Sequence, residues 1–251
     1  MLRSHDARTL TYLTTAGRNA LARRADAEAA RWLAEALAIA ERLDDAPGIA
    51  QLLEELATAQ LRTGNAEEAA HGWTRALMLA EQRGDHTART RLLMLLVQEA
   101  ARRGDIALGL RRLDDAIHAA ADVGDPAVVV RVLLARAKLL QALGRHDDAT
   151  HAVRDALAAA APLGHAALLA RAHQTALQLY AWTGPAALAR EHGTLALSLA
   201  AQSGDRDVAW AAHWAMAMLE GFSGAGERVS LRTSVRRRRW PMPSPRQSCR
   251  R

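Results

Sequence analysis

The chain has 251 residues, half of them apolar, yet only one Phe, two Tyr and six Trp. Ala and Leu dominate while β-branched and aromatic residues are scarce, which excludes a strand-built domain and predicts an all-α fold. The formal charge of +6 does not describe the body: nine Arg and no acid fall in residues 228–251, leaving 24 basic and 27 acidic residues before them.

In chain order, the predicted elements are punctuated by glycine. Gly64, Gly84, Gly104, Gly124, Gly144, Gly164, Gly184, Gly204 and Gly224 recur every twenty residues. Gly84, Gly124 and Gly204 precede Asp, whereas Gly64, Gly104, Gly144 and Gly184 precede NAEEA, DIALG, RHDDA and PAALA, so the true repeat is forty. Glycine suits the left-handed residue that ends a helix, and an Asp or Asn behind it can accept the first free amides of the next. Each glycine is therefore expected to be a helix–helix corner. Asp125-Pro126 fits an N-cap and first helical position, and Asn65 with Glu68 has capping-box spacing. The lattice runs backward without glycine: Arg24 and Asp44-Asp45 take the corner positions. About eleven helices result, as five pairs and a half.

Within each second helix, residues return at fixed offsets from the preceding corner. Ala36, Ala76, Ala116, Ala156 and Ala196 stand twelve on, followed by Leu37, Leu77, Ile117, Leu157 and Leu197. Ala69, Gly109, Ala149 and Ala189 stand five on, where small side chains let helices approach closely; Trp73, Leu113 and Val153 stand nine on, a column from which Gly193 departs. This pattern resembles the second-helix signature of tetratricopeptide repeats, with the usual period of about 34 stretched. Segments such as GNAEEAAHGWTRALMLAEQRGD also look like the repeat region of large ATP-binding regulators of the LuxR type, or of related signalling ATPases.

The resemblance covers residues 5–226 and implies a right-handed α-α superhelix, TPR-like, that works as a non-catalytic protein-interaction scaffold or sensor module of a bacterial regulator. It also implies that first helices line a groove for a partner. Mapped onto this chain, the groove positions hold Gln51, Arg91, Arg131 and Arg171, then Gln98, Lys138 and Gln178 about two helical turns on, and toward the C-terminus Trp182, Trp214, Met218 and Phe222. The cations suit an acidic protein or peptide; equally, Arg here can pair with acids on the next helix. The apolar cluster reads as an anchor pocket or as the face of an uncapped terminal helix open to self-association.

Catalysis is not expected. The only lysine, Lys138, has no phosphate-cradling glycine lead-in, and residues 221–226 lack a strand-turn-helix setting. Asp147 and His151 stand one turn apart but without a third ligand, so no metal or cofactor is expected. Residues 227–251 read as a basic, disordered tail, in which Arg236, Arg237, Arg238 and Arg239 offer an alternative function, nucleic-acid binding. With no apolar run of membrane length and no charged-then-apolar leader, no membrane partner and a cytoplasmic location are expected.

Overall fold

The computed structural model describes residues 2–236, apart from the side chains of 2–4, 46–47 and 222–236. Helices succeed one another in packed pairs: α1 (Leu2–Ala22) with α2 (Asp26–Leu43), α3 (Ala46–Arg62) with α4 (Ala66–Gln82), α5 (His86–Arg103) with α6 (Ile106–Val123), α7 (Pro126–Ala142) with α8 (His146–Ala160), and α9 (Ala166–Thr183) with α10 (Ala186–Ser203). A short 3-10 turn follows α8. The last helix, α11 (Arg206–Arg236), packs on α10 and α9 and has no second helix of its own among the described residues.

Seven of the nine predicted corner glycines have φ between 60° and 94°, the region where a side chain is penalised. The chain closes behind them as expected for such helix ends: the Asp105 N–H donates to Ala100 O at 2.9 Å, six residues around the turn. Arg24 (φ 62°) and Asp44 (φ 57°) adopt the same conformation, so the lattice continues where glycine does not.

Two corners differ. Gly184 is extended, at φ −120° and ψ −179°, because Pro185 follows and its ring drives the preceding residue out of the helical region. Gly224 is no corner at all, since α11 runs through it to Arg236. No proline and no capping acid stands behind Gly224 to stop the helix, whereas Asp205 stands behind Gly204. Thus α11 includes residues 227–236 of the stretch assigned to the tail, and residues 237–251 lie outside the described residues.

Aspartates start the helices. The Asp45, Asp85, Asp105, Asp125 and Asp205 carboxylates accept from the backbone amides of Gly48, Ala88, Leu108, Ala127 and Val208 at 2.9–3.3 Å. The capping bond predicted at Asn65 does not form; that corner is held by backbone closure, Asn65 N–H to Gln60 O at 2.8 Å.

The predicted columns are the core. Ala36, Ala76, Ala116, Ala156 and Ala196 are fully buried, as are Ala69, Ala149 and Ala189, and Leu33, Trp73, Leu113 and Val153 are sealed beside them. Gly193 breaks the large-residue column because Met216 of α11 fills the space: a methyl group at Gly193 would collide with the Met216 thioether. The core is a chain of local clusters along the array, each built from neighbouring helices.

Candidate functional site

Curvature decides which face is enclosed. First helices approach each other across repeats, α7 to α9, α9 to α11 and α1 to α3, while second helices of neighbouring pairs do not pack to a comparable extent. The array therefore closes on the first-helix side. Polar bonds on that side link residues 37 apart: Arg18 with Glu55, Arg91 with Glu54, and the Gln141 amide with Gln178 O at 3.2 Å. A repeat of forty minus one helical turn is the step from a side chain to its neighbour on the next first helix.

Three cavities lie along this face and are lined in part by predicted groove residues, though Arg171 lines none of the three. The first, about 450 Å³, is lined by Gln51, Glu54, Glu55 and Arg91. It is laced shut by ion pairs. The Arg91 guanidinium grips Glu54 through two bonds of 2.7 and 2.8 Å, and Arg18 Nε donates to Glu55 at 2.9 Å. The Glu54 hydrogen bond raises the Arg91 pKa, while burial of Glu55 outweighs Arg18 and raises the Glu55 pKa. The adjacent acids Glu54 and Glu55 thus reach opposite ways, toward α5 and α1.

The second cavity, about 430 Å³, is lined by Arg91, Met94, Gln98 and Arg131 among others. The third and largest, about 680 Å³, brings together Lys138, Gln178, Trp182, Trp214 and Met218, five predicted residues, with Gln141 and His146 beside them. Trp182 is 65% and Trp214 52% exposed, a large apolar surface for side chains held on packed helices. Lys138 reaches solvent, yet the surrounding helices withdraw enough water to lower its pKa, and the charge of Arg171 adds to the effect.

The cation ladder is split in its bonding. Arg171 is committed to Asp205 at 3.0 Å, and Asp205 also caps α11; the Val208 amide and then Arg171 hold that carboxyl below its ordinary pKa. Arg91 is committed to Glu54. Among the described residues, Arg131 and Lys138 form no ion pair within 4.0 Å. Met218 is half-buried at the cavity wall. The Phe222 and Arg236 side chains and all of Arg237, Arg238 and Arg239 lie outside what is described. No group of three or more His, Cys, Asp or Glu among the described residues is placed to hold a metal ion, and no helix among them is long and apolar enough to cross a membrane.

One polar cluster escaped the sequence reading. His173 of α9 and His192 of α10 face each other with their Nδ1 atoms 2.9 Å apart, and the Tyr180 ring stacks on His192. Burial lowers both imidazole pKa values; the charge of His192 lowers that of His173 further, and Glu191 opposes the shift at both. A signal was available. The column eleven before each corner reads Leu53, Leu93, Leu133, His173, and the column eight after reads Gly72, Arg112, Ala152, His192, so both turn to histidine in one repeat.

No protein-family model matches the sequence, and no curated protein does. Solved structures show the fold. The repeat region superposes on a signal-transduction ATPase with numerous domains and a tetratricopeptide repeat sensor, from Pyrococcus horikoshii, at 17% identity and a TM-score of 0.72, covering 86% of this chain and 33% of that one. A kinesin light chain protein with TPR-like repeats from Podosopora anserina matches at 17% identity and 0.66, over 79% of this chain and 98% of that one. The Rap conjugation gene regulator of plasmid pLS20, in complex with the Phr* peptide, matches at 14% identity and 0.57, over 79% of this chain and 55% of its own length. The fold is a TPR-like helical solenoid, and the chain spans a third of the length of the signalling ATPase.

Proposed function

We propose that this solenoid is a non-catalytic docking or sensor module, residues 5–226, of a cytoplasmic bacterial signalling or transcriptional regulator, and that it holds a protein or peptide segment along its first-helix face. One observation carries the reading: the largest of the three cavities on this face gathers Trp182, Trp214 and Met218 with Lys138 and Gln178 on three successive first helices. Exposed indoles on rigid helices give an anchor at small entropic cost, and polar groups beside them orient what docks. The peptide-bound Rap regulator and the repeat sensor of the signalling ATPase support a use of this kind for the fold.

The occupant suited to this face is acidic. Arg131 and Lys138 stand seven residues apart on α7, about 10 Å along the helix, and among the described residues neither forms an ion pair. Arg91 and Arg171 serve the array instead, through Glu54 and Asp205. The test is capture of an acidic peptide library by the full chain, read by Trp fluorescence. Arg131→Glu with Lys138→Glu should abolish capture and leave the helical circular dichroism unchanged, while neutral peptides bind neither protein. Undiminished capture by the double variant would refute the assignment.

A further inference from the structure

The facing histidines of the fourth complete repeat after α1–α2 are used by nothing above. Their geometry is that of a chelate. The two Nδ1 atoms are 2.9 Å apart, on different helices, with both rings half-buried and therefore reachable from solvent. Without a metal ion one ring donates its Nδ1–H to the other. If that proton sits instead on Nε2 of the same ring, a change of tautomer that leaves the charge unaltered, both Nδ1 atoms carry lone pairs, and rotation of the rings aims them at one ion beside the line between them.

We propose that His173 and His192 form a two-imidazole site for a divalent transition ion, Cu(II) or Ni(II), that staples α9 to α10. Among first-row divalent ions Cu(II) binds imidazole nitrogen most tightly, and with metal–nitrogen bonds of about 2.0 Å nitrogens near their present 2.9 Å separation subtend about 90°, two neighbouring corners of a square plane. Water completes the coordination from the exposed side. Tyr180, stacked on His192 at a centroid distance of 5.4 Å, fixes that ring, and Glu191 supplies negative charge near both. The ion would tie the helix that carries Gln178 and Trp182 to its partner, whatever the groove binds.

The repeat supplies its own controls. His173→Leu restores the residue of the three preceding repeats, and His192→Ala restores that of the repeat before it, so neither replacement threatens the fold. The full chain and the single and double variants are titrated with Cu(II), Ni(II) and Zn(II) by calorimetry, and the Cu(II) form is examined by electron paramagnetic resonance. The wild type should take one Cu(II) at least tenfold more tightly than any variant, on the order expected when a second ligand is already in place, with coupling to two imidazole nitrogens and a raised melting midpoint. Nickel should follow the same order of proteins at lower affinity. Binding at the remaining histidines, including His86 beside Asp122, is the same in all four proteins. Equal affinity in wild type and double variant, meaning adventitious binding only, or coupling to one nitrogen in the wild type, overturns the site, and tighter binding of Zn(II) than of Cu(II) overturns the choice of ion.

Discussion

Arg24 and Asp44 carry a cost that their glycine counterparts avoid. A side chain in the left-handed region costs about 1–2 kcal/mol, and the flexibility that glycine adds to the unfolded chain returns part of the gain. Among the described residues Arg24 forms no ion pair within 4.0 Å, while Asp44 sits directly before the N-cap Asp45. Replacement at Arg24 is therefore the cleaner test. Arg24→Gly should raise stability by about 0.5–1 kcal/mol in urea unfolding, and a neutral or negative effect would mean that the Arg24 side chain has a stabilising contact of its own. The two positions were legible as corners because spacing located them despite the wrong residue type. The conformation at Gly184 was legible too, in principle, from Pro185.

Pairs of helices are where burial and charge meet. The α9–α10 seam holds His173 and His192, with Tyr180 from α9 and Glu191 from α10 as the other titratable groups acting there. Both imidazole pKa values lie below the ordinary 6.5, so the unfolded chain takes up protons first as pH falls. The sign follows directly: the stabilising contribution is complete above that value and is lost as pH drops through it toward the folded-state values. Metal-free protein should lose more stability between about pH 7.5 and about pH 5.5 than the His173→Leu, His192→Ala double variant. Equal losses in chelator-treated samples would show that the pair does not couple to folding. Elsewhere the element scale was well marked in the sequence, since the alanine and large-residue columns of α2, α4, α6 and α8 are the buried ones. Gly193 was not, because its partner Met216 comes from the following helix and sequence spacing does not reveal which side chain fills a gap.

Among the described residues, the last helix of the array leaves one face open. Fourteen residues before the corner, Val130 and Ala170 are fully buried against α8 and α10, the second helices of their own pairs. Trp210 occupies the equivalent place on α11 and is 71% exposed, because no such helix covers it among the described residues. Self-association through this face should appear as a concentration-dependent mass in sedimentation, and Trp210→Glu should remove it without loss of helix content. A wild type that stays monomeric at every concentration would dismiss the idea.

The groove was assigned to the first helices through the resemblance to tetratricopeptide repeats, whereas periodicity alone determined the helices, their corners as far as Gly204 and the small-residue seams. These depend on local backbone geometry and on which side of a helix a residue occupies, and both repeat with the chain. Only tertiary structure decided which cations are spent. Arg91, Arg131 and Arg171 occupy one column, but whether each meets an acid depends on the neighbouring repeat, Glu54 lying 37 residues before Arg91 and Asp205 34 residues after Arg171, so Arg91 and Arg171 became staples while Arg131 forms no ion pair among the described residues. The same holds for His173 and His192: their contact is a fact about two helices laid side by side, and a linear chain carries no distance between them until packing sets it.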